Sequence, residues 1–476
     1  MRAPASALQD PSPRKTVHTA RRAGSQNLSI RRPLTDLEPQ PPASRSIAGV
    51  EDPADLETKD DGSGAGTGGE DASERKALWS QLKDLIGADV MSKLSVPVFI
   101  MEPTTMLQKM SEILQYAALL DAAADEEDED MRLAYVCALA ISTYSSNERT
   151  KKPFNPLLGE TWEFQLPNGA GTYVSEQVCH HPPVGAGHCT TAKWTYDLTS
   201  AAKTKFMGNW VDVWPKGRTR IALTGRGDVY NICPPASRVN NIIVGRTWID
   251  TFGEMQVNNL KTKQKALIRF KECSVFGTGR WEVSGELVGA DGETKYALAG
   301  KWNESLTVSK PDGSECKTIW RKEPMPEDPT KYGFTNFTFK QNSHETCPPG
   351  VLASDSRLRP DRAALERGDD ALAGAKKYEL EELQRAERRL RESKGDEYKP
   401  KWFRLATNAD LHELEQDVGT AVWEWNGLYE EASAKRAAAA VEGANPLESL
   451  VFDPWCYEET RSGKVLVGEE TETTAS

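Results

Sequence analysis

The spacing of apolar positions changes character twice along the chain. In "ALWSQLKDLIGADVMSKL" (Ala77 to Leu94), Trp79, Leu82, Leu85, Ile86, Val90 and Met91 recur at intervals of three and four, which predicts a helix with one apolar face. "EPTTMLQKMSEILQYAALLDAA" supplies a threonine cap and then a helix with Met106, Leu107, Met110, Ile113 and Leu114 inward. "MRLAYVCALAISTY" predicts a third helix. From about Gly171 to Trp320 the texture becomes short β-rich runs: "TKFMGNWVDVW", "RTRIALTG", "NNIIVGRTWID", "KALIRF" and "RWEVSGELVG". In the last of these Trp281, Val283 and Leu287 alternate with polar residues, the pattern of a half-buried strand. "GRGD", "TFGE" and "GADGE" lie between runs and predict turns. Few helices intervene, so the strands are expected to form an antiparallel meander. Phe206 to Trp214 reads as a strand apolar on both faces, which suits a barrel with a greasy lumen and a helical outer cover. After Pro360 the pattern turns helical and charged in "AKKYELEELQRAERRLRESK".

Composition adds limits. Only 38% of the 476 residues are apolar, low for a chain of this length, and residues 1 to about 75 carry much of the deficit. That stretch is rich in Pro, Ser, Ala and Gly, basic in its first half and acidic in its second, and is expected to be a disordered arm. Ser25 in "RRAGS" is a phosphorylation candidate within it. The acidic end "GEETETTAS" is expected to fray. No run reaches the roughly 18 apolar residues of a membrane span, and the first residues lack an apolar signal region. The eight cysteines form no C-x-x-C pair, which points to reduced thiols in the cytoplasm. A net charge of −12 argues against nucleic acid as a partner.

One stretch carries unusual chemistry. "YVSEQVCHHPPVGAGHC" (Tyr173 to Cys189) holds three of the six histidines. Structural zinc sites present ligands in spaced pairs, whereas His180 and His181 are adjacent and followed by two prolines. Cys179 lies beside His180 without a nucleophile motif around it, which disfavours a cysteine hydrolase. An anion cradle fits better, because cations stand elsewhere: Lys152 with Asn155 in "TKKPFNPLLGETWEF", and Lys377, Glu381 and Arg385 at i, i+4 and i+8 on the late helix. The residues alone leave open two bland alternatives, locally bonded histidines and an exposed salt-bridged helix face.

"EQVCHHPP" (Glu176 to Pro183) resembles the fingerprint of the oxysterol-binding-protein family, E-Q-V-S-H-H-P-P. "KPFNPLLGET", "NIIVGRTWID", "DSRLRPDR" and "EELQR" resemble that family in the same order, and the likeness runs from about Trp79 to Phe403. Cys179 departs from the family's serine, and a thiol is a weaker hydrogen-bond donor than a hydroxyl.

The resemblance implies an α+β fold: a large, nearly closed antiparallel barrel around a lipid tunnel, with an N-terminal helical lid and a helical C-terminal region. The lipid-binding domain is expected over about 76–405, with a lid at about 79–98, barrel core at about 150–340 and late helices at about 360–395; residues 406–476 form an extension. It further implies a non-enzymatic carrier, without metal or cofactor, that exchanges sterol for phosphatidylinositol 4-phosphate between the cytoplasmic faces of membranes. The headgroup would be held by Lys152, Asn155, His180, His181, Lys377, Glu381 and Arg385, and the tunnel mouth covered by Trp79, Leu82 and Ile86. A phosphomonoester carries nearly two charges, and imidazole, ammonium and guanidinium donors can neutralise and orient it. Phosphatidylserine as the tunnel lipid, or a sterol-regulated scaffold, are the alternatives.

Overall fold

A computed structural model describes residues 68–90, 96–274, 276–327, 332–440 and 445–464. Most of the predicted arm, Ser25, Met91 and the acidic end lie outside these residues. Strands are β1 (Met101–Thr105), β2 (Lys152–Phe154), β3 (Thr161–Gln165), β4 (Gly171–His180), β5 (Pro183–Thr191), β6 (Trp194–Phe206), β7 (Trp210–Lys216), β8 (Thr219–Leu223) and β9 (Asp228–Cys233). They continue with β10 (Ala236–Asn240), β11 (Trp248–Asn259), β12 (Lys265–Phe270), β13 (Glu282–Val288), β14 (Thr294–Lys301), β15 (Ser305–Ser309), β16 (Lys317–Arg321), β17 (Phe403–Leu405) and β18 (Trp423–Trp425). Helices are α1 (Gly68–Leu82), α2 (Met106–Met110), α3 (Ala118–Asp125), α4 (Glu129–Ser142), α5 (Asn336–Lys340), α6 (Pro360–Glu366), α7 (Asp370–Lys394), α8 (Tyr429–Ala439) and α9 (Glu458–Arg461).

β3 to β16 make one 14-stranded antiparallel sheet in nearest-neighbour order. β7 and β8 both pair with β6, and β9 and β10 both pair with β11. Each pair is thus one line of strand with a break in it. The first break falls at Gly217, where φ is +104°, and the second at Pro234–Pro235, which have no N–H to give a ladder. The meander predicted from the sequence is therefore present. The sheet curls around α2–α4, because residues from both of its halves and from those helices share one apolar core; Trp162, Tyr173 and Trp194 meet Leu139, Ile268 and Leu306 there. Its path ends on β3 and β16, short of full closure.

Several local expectations are corrected. Phe206 to Trp214 is the end of β6, a turn with Gly208 at φ +90°, and β7, so it is not one strand. "TFGE" is no turn but the middle of β11, bent at Gly253 (φ +94°). Residues 241–247 of "NNIIVGRTWID" form a loop, and Trp281 stands at φ +70° just before β13. Met106 is exposed, because α2 stops at Met110 and the chain continues as a separate 3-10 turn.

The first helix also differs. α1 starts at Gly68, inside the stretch assigned to the arm, and ends at Leu82 instead of running on. Leu78 and Leu82 are buried against Phe206 and Ile243, with Trp79 half-buried beside them. Past Leu85 the backbone turns extended, Gly87 adopts φ +84°, and Gly87 N donates to Phe206 O at 2.7 Å. The helical phase is lost there, so Ile86 is 53% exposed and does not share the buried face of Leu82.

The predicted end of the domain at residue 405 falls inside the β17–β18 ladder. Trp402, Phe403 and Tyr429 pack on Val174, Val178 and Val184 of β4–β5, so this part of the extension belongs to the same body.

Candidate functional site

Three segments converge at one end of the sheet. The first is the loop after β2. Pro153 and Pro156 stiffen it, Arg359 Nη1 donates to Asn155 O at 2.9 Å, and the Arg359 guanidinium lies 5.2 Å over the buried Phe154 ring. Arg359 is itself fixed by Glu160 (2.9 Å) and Asp361 (2.6 Å). The motif "DSRLRPDR" thus works as a brace. Its Asp355 and Arg357 cover the β3 edge, accepting from Glu163 N and donating to Glu163 O, while Arg359 and Asp361 hold the loop. Within the loop, Lys152 Nζ donates to Asn155 Oδ1 at 2.9 Å, which aims the ammonium.

The second segment is the fingerprint. β4 carries a register irregularity between Gln177 and Cys179, a bulge that re-aims the strand end. His180 closes the strand and His181 lies just beyond it, with the two rings 4.8 Å apart edge to face. They do not point to opposite faces, because only His180 is still in the strand. His180 Nδ1 is buried without a hydrogen-bond partner. Cys179 packs among the aliphatic residues behind the site.

The third segment is α7. Lys377 Nζ sits 2.6 Å from Glu381 Oε1, and Arg385 reaches Glu381 at 3.5 Å while also pairing with Glu382. Gln384 ties the helix to the loop by accepting from Leu158 N at 3.1 Å.

Electrostatics show which groups share the site. Burial, then the positive charges of Lys377 and Arg359, push the half-buried Lys152 ammonium down to about 8, against the pull of Glu381. Burial and then His181 lower His180 to about 4, opposed by a hydrogen bond with the Pro156 backbone and by Glu381. Partial burial and Arg388 lower His181. Glu381 thus acts on both Lys152 and His180, which links the lysine pair on one side to the histidine pair on the other. Arg385 is half-exposed and turned to its acidic helix neighbours. The guanidinium that acts on both histidines is Arg388, which the sequence reading missed. Its signal was present, since Arg388 stands eleven positions after Lys377 and so on the same helical stripe. The site thus offers two ammonium groups, the Arg388 guanidinium and the two imidazoles, one with a buried ring nitrogen that has no partner. It can take an anion with several oxygens.

An apolar cavity of about 240 Å³ lies between α2 and the strands, walled by Met110, Ile113, Leu198, Ile232 and Met255. Lys109 and Lys216 are the charged groups in its wall, and Lys109 is held by Glu112 and Ser146, each at 2.7 Å. Asn147, also in the wall, begins the segment that leads to Lys152.

A family model described as oxysterol-binding protein matches residues 77–434. Oxysterol-binding protein-related protein 3C of Arabidopsis thaliana is 41% identical over 432 residues, covering 87% of this chain and 93% of that protein. The crystal structure of the Osh1 ORD domain in complex with cholesterol matches with a TM-score of 0.67 and 32% identity, over 77% of this chain and 90% of that one. The Osh3 ORD from Saccharomyces cerevisiae in complex with PI(4)P matches with a TM-score of 0.65 and 30% identity, over 76% of this chain and 93% of that one.

Proposed function

Since this chain belongs to the oxysterol-binding protein family, we propose that it is a non-enzymatic lipid carrier that exchanges sterol for phosphatidylinositol 4-phosphate between membranes. The carrying observation is that Lys152 with Lys377, and His180 with His181, are gathered around Glu381 in a protein that also holds an apolar cavity. Sterol takes the cavity. The acyl chains of the phosphoinositide take the same space, and its phosphate is held by Lys152, Lys377, the two histidines and Arg388. Glu381 faces inositol hydroxyls or aligns Lys377. Two related domains, each at 30% identity or above, support the pairing: one is in complex with cholesterol and the other with PI(4)P. Among the described residues no helix is long and apolar enough to cross a membrane, which suits a protein that meets membranes at their cytoplasmic surface.

One cavity for two lipids makes them competitors, and the coupling is reciprocal. Fluorescent sterol bound to the full chain should be released as phosphatidylinositol 4-phosphate vesicles are added. Lys152→Ala should blunt the release without weakening sterol affinity. Saturable binding of both lipids to one chain would overturn the exchange reading and favour a scaffold with two independent sites.

A further inference from the structure

A cavity of about 550 Å³, larger than the apolar one, opens where the β10–β11 and β12–β13 connections meet the segment Asn147–Thr150. Its charged groups are Arg246, Arg280 and Glu148. Glu148 is already taken by Lys322 and by Asn303, whose amide donates at 3.1 Å. Among the described residues neither the half-buried Arg280 nor the exposed Arg246 at the rim makes an ion pair. Arg280 is sandwiched between the rings of Trp248 (4.8 Å) and Trp281 (4.6 Å), and its Nε is buried without a partner. Trp281 itself stands at φ +70°, an uncommon backbone for a bulky residue. A buried unbonded donor on a stacked guanidinium, with a second arginine at the rim of the same cavity, suits an anion.

We propose that this cavity is a second anion site, separate from the Lys152–His180 cluster, that takes a phosphate-bearing group. A lipid headgroup and a free phosphorylated small molecule share that chemistry. Both bordering loops carry an exposed apolar side chain, Phe276 at 94% exposure and Val244 at 43%, so the geometry favours a phosphorylated headgroup at a membrane surface, with the loops entering the interface. Occupancy would also be felt by α1. Arg75 donates to Asn241 O (3.1 Å) and Gly245 O (2.9 Å) in the loop that presents Arg246.

The test uses the full chain carrying His180→Ala and His181→Ala, so that the first anion site is disabled. Binding is measured to phosphatidylcholine vesicles with and without phosphatidic acid, and to soluble glycerol phosphate by calorimetry. Arg246→Gln combined with Arg280→Lys, which keeps the cation between the indoles but loses the planar fork, should weaken binding by roughly tenfold or more. Phe276→Ser should weaken vesicle binding alone. Binding of glycerol phosphate without vesicles would assign the site to a free phosphorylated compound. Arginine variants that bind as the parent does, or a parent that binds neither probe, would overturn the proposal.

Discussion

The carboxylate of Glu176 accepts from the Tyr398 hydroxyl at 2.7 Å, and from the backbone N–H groups of Lys401 (2.8 Å) and Trp402 (3.0 Å). The first residue of the fingerprint therefore faces away from the histidines and fastens the C-terminal segment to the outside of β4. Glu163 on the neighbouring strand does the same for α8, accepting from Tyr429 at 2.6 Å and Arg436 at 3.1 Å.

Glu176→Ala should consequently act on stability before it acts on lipid. It leaves three donors without their acceptor, at a cost of about 3 kcal/mol or more. Thermal unfolding should show a lower Tm, and amide exchange should rise first at Lys401 and Trp402. Unchanged exchange at those two amides would refute the anchoring role.

The histidines carry the opposite expectation. Replacing His180 and His181 with Ala should leave the fold intact, since His180 gives up only one hydrogen bond, to the Pro156 backbone, and His181 is exposed. Each lost charge-assisted hydrogen bond to phosphate is worth about 1.5–3 kcal/mol, so phosphatidylinositol 4-phosphate extraction should fall a hundredfold or more while sterol binding persists. Arg388→Ala should weaken extraction by a smaller factor and raise the His181 pKa in an NMR titration, because a nearby positive charge is removed. A His181 titration that does not move would separate Arg388 from the site.

Much of this is legible in the sequence. The meander could be read because its strands alternate or run apolar and its turns are rich in glycine. The candidate site residues could be singled out because they stand in motifs that resemble the family's. What could not be read depends on distant partners. The β9/β10 break at Pro234–Pro235 leaves two short strands on one line, and pairing with β11 alone reveals it. Residues 241–247 look like strand by composition, but α1 takes up the apolar face of Ile243 and Arg75 takes the carbonyls. Trp402, Phe403 and Trp425 are scattered aromatics in a charged tail until β17 and β18 bring them together.

The first helix offers a contrast between two residues one turn apart in sequence. Leu82 is 4% exposed against Phe206 and Ile243, while Ile86 is 53% exposed. Leu82→Ala should loosen α1 by about 2–3 kcal/mol and speed sterol loss, whereas Ile86→Ser should change retention little. Stopped-flow release of fluorescent sterol from the two variants decides. Equal rates would remove α1 as a cover.

Lys152 makes phosphoinositide binding depend on pH in a direction that can be worked out. Its ammonium is held down to about 8 in the free site by burial and by Lys377 and Arg359. A bound phosphate adds negative charge and raises that value, so above about pH 8 the complex holds a proton that the free protein has lost. Affinity should therefore be flat in this group's contribution below pH 7 and should fall as pH rises through 8, approaching about tenfold per unit. Lys152→Arg keeps the charge but cannot release the proton in this range, so it should flatten the slope even if it binds more weakly at neutral pH. The measurement is vesicle extraction of phosphatidylinositol 4-phosphate between pH 7 and about 9.5, with sterol binding as the control that should not share the slope. If parent and Lys152→Arg fall together, the titrating group is not Lys152, and the ammonium does not meet the phosphate.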